Sequence, residues 1–357
     1  MKTVFYFISG HGFGHAVRSS LVIRELARLG IRVEIFSSIP KRIFDSKLHG
    51  VDYGYHHGEM DIGVVQSDSI SIDVPATYEA WSKFIDSRES WIDRYLGLCG
   101  KLKPSAIVCD IVPFAIPLAL KAGLPSILVA TFTWDAILNF YADEDARFEK
   151  LSNELLRIYS EASLMISTPL SFGLPKIAES VTVPLIGAKC EVGETEIRKK
   201  LGLDERPAFL VSFGGLGLSG IERLGLKRMK DYQFLFLADR SQSDGNLITC
   251  DNAAVSHEEL VKISRAVITK PGYGVSTECI LNRTAMIYTS RGKFAEYEPL
   301  VDELKKYIPM TFISNEELFS GGLALLLVKS MEFVPGLRTD EGSGAKETAT
   351  QIKMRYL

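Results

Sequence analysis

The sequence predicts an α/β protein made of two successive series of β–α units, each forming a parallel sheet. Three observations point to that class. An apolar run from Thr3 to Ile8 passes through Ser9-Gly10-His11-Gly12-Phe13-Gly14-His15 into a stretch with Val22, Leu26 and Leu29 at helical spacing. Further runs, among them Ala106–Asp110, Ser126–Ala130, Ala208–Ser212 and Ala266–Thr269, are apolar without alternation, as strands covered on both faces are. Prolines at 169, 175 and 184 punctuate the change from the first series to the second, and 357 residues suffice for two domains.

The first loop concentrates chemistry. Gly10, Gly12 and Gly14 let the backbone bend tightly and let a ligand come close. The helix behind them, expected over Ala16 to Leu29, favours an anion at its N-terminus. His11 and His15 stand at the mouth of this first β–α turn, where open α/β sheets hold ligands. An exposed loop needs no histidine for packing. The spacing is not the GxGxxG dinucleotide fingerprint, so the loop alone leaves the reaction open.

Taken in order, Arg32 to Ser37 reads as the second strand after a helix stop at Gly30, and Val51 to Tyr55 as the third. Ser67 to Asp73 alternates weakly. Thr77 to Leu102 reads as one long helix whose Trp81, Phe84, Trp91 and Tyr95 are expected in the core. Asp110 ends one strand and Asp135 follows the next, so both fall on the ligand-bearing edge; each position also suits a helix N-cap. A helix over Asn153 to Ala162 and a strand over Leu164 to Ile166 follow, then a linker near Pro184 to Glu194.

The second series starts with Ala208–Ser212 and a glycine loop, Phe213 to Gly217, containing Gly214 and Gly215. Gln233 to Leu237 is another strand. Ser256 and Glu259 have capping-box spacing, which marks His257 as a surface helix residue. Ala266–Thr269 runs into a second glycine loop, Lys270-Pro271-Gly272-Tyr273-Gly274, with a helix expected from Val275 that carries Ser276 and Glu278. A carboxylate beyond such a turn can accept both hydroxyls of a ribose, and can equally complement the helix dipole. Ala285–Tyr288 precedes Arg291, Glu296 and Glu298, with a helix from Pro299 and a last short one after Gly342-Ser343-Gly344.

Composition narrows the function. A net charge of −3 provides no basic field for nucleic acid. Five scattered cysteines, with no CxxC pair, argue against a disulfide framework or zinc site and fit a cytoplasmic protein. No run is long enough to span a membrane, which leaves only peripheral membrane contact open. No acidic pair near either glycine loop suits Mg²⁺-diphosphate, so no metal site is expected.

These motifs resemble those of GT-B glycosyltransferases related to family 28, the group of the bacterial lipid II-forming N-acetylglucosaminyltransferase. The loop ending in His15 is similar to that group's N-terminal motif, and Thr269 to Glu278 to its donor motif. A closer resemblance is to the N-terminal glycosyltransferase-like domain of plant L-arabinokinases. It is carried by Gly10 to His15 with Arg18, Gly63 to Gln66 with Asp68 and Asp73, Asp110 to Pro113, Phe132 to Asp135, Gly272 to Glu278, and Glu298-Pro299. There is no glycine-rich kinase segment, so arabinose phosphorylation is not expected. Glu296 and Glu298 stand where the lipid II enzyme has a Gln-rich sugar-binding segment.

The resemblance implies two Rossmann-like domains facing across a cleft: 1–186 for the acceptor, 187–335 for the nucleotide sugar, and 336–357 returning to the first. It implies inverting transfer from a UDP-sugar co-substrate to a hydroxyl-bearing acceptor, without cofactor. His15 would be the base and Asp110 its partner. His11, Gly12, Gly14, Arg18, Asp68 and Asp135 would serve the acceptor side. Gly214, Gly215, Lys270, Gly272, Tyr273, Gly274, Ser276, Glu278, Arg291, Glu296 and Glu298 would bind the donor. A nucleotide-sugar epimerase or hydrolase, and a non-catalytic nucleotide-sugar sensor, are the alternatives.

Overall fold

A computed structural model describes residues 1–65, 72–213, 224–333 and 342–357. Asp68, Gly214 and Gly215 lie outside them, as does most of the weak alternation after Ser67. The chain divides into two units, Met1–Gly187 with Lys293–Glu296 and Gly342–Leu357, and Ala188–Gly292 with Tyr297–Glu341.

The first unit runs β1 (Thr3–Ile8), α1 (Phe13–Arg28), β2 (Arg32–Ser37), α2 (Lys41–Lys47), β3 (Tyr53–His57), α3 (Val74–Asp86), α4 (Arg88–Leu102), β4 (Ala106–Asp110), α5 (Ala115–Lys121), β5 (Ser126–Ala130), α6 (Trp134–Asn139), α7 (Arg147–Ser160), β6 (Leu164–Ser167) and β7 (Ser180–Thr182). Among the described residues its strands pair in parallel in the order β3-β2-β1-β4-β5-β6-β7. The order reverses between β1 and β4, and a crevice opens beyond the carboxyl ends of strands at such a switch. Val4, Tyr6 and Ile8 of β1 share a core with Val22, Ile23 and Leu26 of α1. Each large apolar side chain buried there contributes roughly 1.5–3 kcal/mol.

The second unit runs α8 (Glu194–Lys200), β8 (Ala208–Ser212), β9 (Gln233–Ala238), β10 (Gln242–Asp244), β11 (Leu247–Asp251), α9 (His257–Ile263), β12 (Ala266–Thr269), α10 (Tyr273–Leu281), β13 (Ala285–Tyr288), α11 (Tyr297–Leu304), β14 (Met310–Phe312), α12 (Asn315–Ser320) and α13 (Leu323–Ser330). Its order is β10-β11-β9-β8-β12-β13-β14, parallel except for β10 on β11, with the switch between β8 and β12. The last helix, α14 (Gly344–Tyr356), belongs to the first unit, where Ala349 and Ile352 join the core shared by α1 and β1. A side chain at Gly344 would collide with the backbone of Pro184 and Leu185, so only glycine lets α14 start that close.

Several boundaries differ from the sequence reading. The long helix expected over Thr77 to Leu102 is two, α3 and α4, separated at Ser87, whose hydroxyl donates to the Phe84 carbonyl in competition with the helix ladder. Its aromatics Trp81, Phe84, Trp91 and Tyr95 are buried, as expected. The third strand is shifted two residues later, because Gly50 turns the chain at φ 73° before it. The helix expected over Asn153 to Ala162 spans Arg147–Ser160 instead. Asp73 is the N-cap of α3, accepting from the Ala76 N–H at 2.9 Å, which gives it a structural role. All five cysteines are buried and free, and no helix among the described residues is long and apolar enough to cross a membrane.

Candidate active site

Gly12, at φ 91°, turns the backbone so sharply that α1 starts at Phe13, three residues before the expected start. His15 therefore sits in the first turn of a helix, buried, rather than in an exposed loop. Its Nδ1 lies 2.8 Å from Oδ1 of Asp110, the last residue of β4 and fully buried. Asp110 caps no helix. It also accepts from Ser19 Oγ at 2.7 Å and from Arg18 through Nη2 at 2.5 Å and Nε at 3.3 Å. Burial raises a carboxyl's pKa, but here the Arg18 and His15 charges outweigh it and hold Asp110 below the usual range. Arg18 in turn donates to Thr131 Oγ1 at 2.8 Å, tying the end of β5 to the same group.

The next residue, Ile111, has φ 56°, a strained value for a β-branched side chain. Its carbonyl is held by the Tyr159 hydroxyl at 2.6 Å. The backbone is thus bent out of the strand just beyond Asp110.

Aromatic side chains flank the two histidines. Phe132 meets the His15 ring edge-on at 5.8 Å between centroids, and Trp134 meets His11 at 5.4 Å. Asp61, not singled out from the sequence, ties this region together. Its carboxylate accepts from Trp134 Nε1 at 2.8 Å and from the Gly10 N–H at 3.2 Å. Burial raises its pKa, and Ser9, Trp134 and His15 offset part of that. The only hint in the sequence was its place just before Gly63, which has φ 73° and where a Cβ would fall on the His11 ring.

Asp135 is not an N-cap; Thr133 holds that position and Asp135 lies in the first turn of α6. It is buried, its Oδ1 has no hydrogen-bond partner, and burial pushes its pKa up to about 6.

In the second unit Gly272 is the extended N-cap of α10, so the helix starts at Tyr273, two residues before the expected start, and Gly274 lies in its first turn. Ser276 is fully buried there with no partner for its Oγ. Arg291 Nη1 donates to the Pro271 carbonyl at 3.2 Å, bracing the loop between Lys270 and Gly272. Glu298 lies exposed in the first turn of α11, which starts two residues before the expected Pro299. Glu296 belongs to the stretch Lys293–Glu296 that groups with the first unit, where the Tyr141 hydroxyl donates to the Lys293 carbonyl at 3.3 Å.

His257 is the main residue the sequence reading undervalued. The Ser256–Glu259 capping box is present. Yet His257 is half-buried, with Nδ1 2.5 Å from Glu278 Oε2 and Nε2 3.0 Å from Ser212 Oγ. The signal that pointed to an ordinary surface helix concerned only the backbone; it carried no information on what faces the first helical side chain.

Among solved structures, UGT2 of Phytolacca americana, complexed with UDP-2-fluoro-glucose and pterostilbene, superposes with a TM-score of 0.63 at 14% identity, covering 100% of this chain and 95% of that one. MurG of Acinetobacter baumannii matches with a TM-score of 0.58 at 14% identity, covering 99% and 100%. The fold is that of the GT-B glycosyltransferases. In sequence, this GT-B chain is 24% identical over 341 residues to an L-arabinokinase of Arabidopsis thaliana, which covers 92% of the chain but 32% of that protein. No protein-family model matches it.

Proposed function

We propose that this protein transfers a sugar from a nucleotide diphosphate, with UDP as the nucleotide, to an acceptor hydroxyl with inversion at the anomeric carbon. The observation that carries the reading is His15 held by the buried Asp110 at the β1/β4 switch point. An ionised carboxylate only accepts hydrogen bonds, so the Nδ1 proton points to Asp110 and Nε2 is the ring nitrogen left to act as base. The acceptor hydroxyl gives its proton to Nε2 as its oxygen attacks the anomeric carbon. The bond from that carbon to the diphosphate breaks and UDP leaves with the electron pair. Asp110 stabilises the imidazolium that forms, as the acid of a catalytic triad does.

The nucleotide is assigned to the second unit. The N-terminus of α10 presents backbone N–H groups, and the buried, unpartnered Ser276 hydroxyl adds a donor for the leaving diphosphate. Glu278 accepts the ribose hydroxyls. The UDP-sugar bound by the Phytolacca enzyme supports UDP as the nucleotide. The nucleotide sugar is the co-substrate, and neither cofactor nor metal is assigned a step, so turnover is expected to survive EDTA.

The test is a panel of UDP-sugars against hydroxyl acceptors, read as UDP release with and without acceptor. His15→Ala should abolish transfer and leave UDP affinity within a few fold. Loss of UDP binding, with chemistry intact at saturation, would sink the assignment of His15 as base.

A further inference from the structure

His257 joins three elements of the second unit. It is the first residue of α9, and the capping box of Ser256 and Glu259 fixes its backbone. Leu260, Val261 and Ile263 anchor the buried side of that helix. From there the imidazole reaches Glu278 on α10 through Nδ1 and Ser212, the last residue of β8, through Nε2. Ser212 is itself held, since its carbonyl accepts from Thr269 Oγ1 of β12 at 2.5 Å. All of this lies at the β8/β12 switch point. On the same helix, Glu259 pairs with Lys200 of α8 at 3.0 Å, and Lys262 donates to the Cys190 carbonyl at 2.9 Å.

We propose that His257 is a positioning residue for nucleotide recognition, holding the Glu278 carboxylate in the orientation that reads the ribose diol and bracing it against Ser212. The inference rests on the donor reading given above. The chemistry dictates the proton arrangement. Nδ1–H donates to Oε2 of Glu278, while Nε2 accepts from the Ser212 hydroxyl. With Oε2 engaged, Oε1 is the oxygen that faces no competing protein donor in this pair and takes the ribose hydroxyls. Without His257 the carboxylate swings among rotamers, and the ordering cost falls on the ligand.

The two ring nitrogens can be tested separately. An asparagine amide nitrogen stands in for the donor at Nδ1, and a glutamine amide oxygen for the acceptor at Nε2. UDP and 2′-deoxy-UDP are titrated calorimetrically into the full chain carrying His257, His257→Asn or His257→Gln. Expected is a preference for UDP over 2′-deoxy-UDP of about tenfold in the parent, corresponding to about 1.4 kcal/mol. It should fall about threefold in His257→Asn, which keeps the Nδ1 donor but loses the Ser212 brace, and towards unity in His257→Gln. A residue that only supports the fold would weaken both nucleotides equally, and an unchanged preference in both variants overturns the proposal while leaving the donor reading intact. Failure of the parent to bind UDP overturns both. If His257→Gln does not fold, Ser212→Ala removes only the Nε2 partner, and a preference reduced at least about threefold supports the proposal while an unchanged one overturns it.

Discussion

Nδ1 of His15 and Nη2 of Arg18 converge on one oxygen, Oδ1 of Asp110, at 2.8 and 2.5 Å. A single buried carboxylate thus orients the candidate base and neutralises a guanidinium that is itself mostly buried.

Asp110→Asn keeps the shape but lets an amide N–H face Nδ1, which favours the wrong tautomer. Turnover should fall by about 10³–10⁴-fold, with UDP affinity unchanged within a few fold. Both variants remove the charge that neutralises Arg18; Asp110→Ala also removes the acceptors its guanidinium uses there and should cost about 3–5 kcal/mol of stability. Steady-state kinetics and denaturant melts check the pair; an asparagine variant retaining a tenth of the parent kcat contradicts the role of Asp110.

Asp135 predicts a pH dependence of stability. Its pKa is about 6 in the folded chain, against about 3.9 for an unperturbed carboxyl. The folded state therefore binds the proton more tightly. The favourable contribution is fully present below about pH 4 and is lost as pH rises through about 6, a difference on the order of 2–3 kcal/mol by pH 7. Asp135→Asn should raise stability at pH 7.5 by up to that amount and bring no gain near pH 4. Urea melts at the two pH values measure it.

Ser276→Ala removes a fully buried hydroxyl that has no partner. The ligand-free protein should be as stable or slightly more so. If the hydroxyl meets the diphosphate, UDP affinity should drop about tenfold while uridine affinity stays the same. Equal losses for both ligands would show that Ser276 does not reach the phosphates.

Gly63 and Gly12 both have positive φ, yet they should respond differently to alanine. At Gly12 a Cβ meets nothing within 4 Å, so only backbone strain opposes it, roughly 1–2 kcal/mol. At Gly63 the Cβ would collide with the His11 imidazole. Gly63→Ala should therefore destabilise more than Gly12→Ala and displace His11, visible as a shifted imidazole resonance. Equal destabilisation would argue against the close approach of Gly63 and His11.

The central strands of both sheets were legible in the sequence because a parallel strand buried on both faces must be apolar along its whole length; β7, β10, β11 and β14, toward the sheet edges, were not. Ala106–Asp110, Ser126–Ala130, Ala208–Ser212, Ala266–Thr269 and Ala285–Tyr288 have the bounds expected from that pattern. His15 and Asp110 were likewise legible as candidates, because a glycine loop and a strand-ending carboxylate mark the edge where such sheets hold ligands, and the fold brings the two within 2.8 Å. Helix starts were less legible. Glycine allows many φ values, and only the folded backbone selected 91° at Gly12 and an extended N-cap at Gly272, moving His15 and Tyr273 into helices. What the tertiary structure alone decided is which side chains meet. His257 and Glu278 are 21 residues apart on different helices, and Asp61 reaches Trp134 across 73 residues. No local pattern encodes such contacts. They arise because parallel crossovers bring the ends of β8 and β12, and of β1 and β4, side by side at the two switch points.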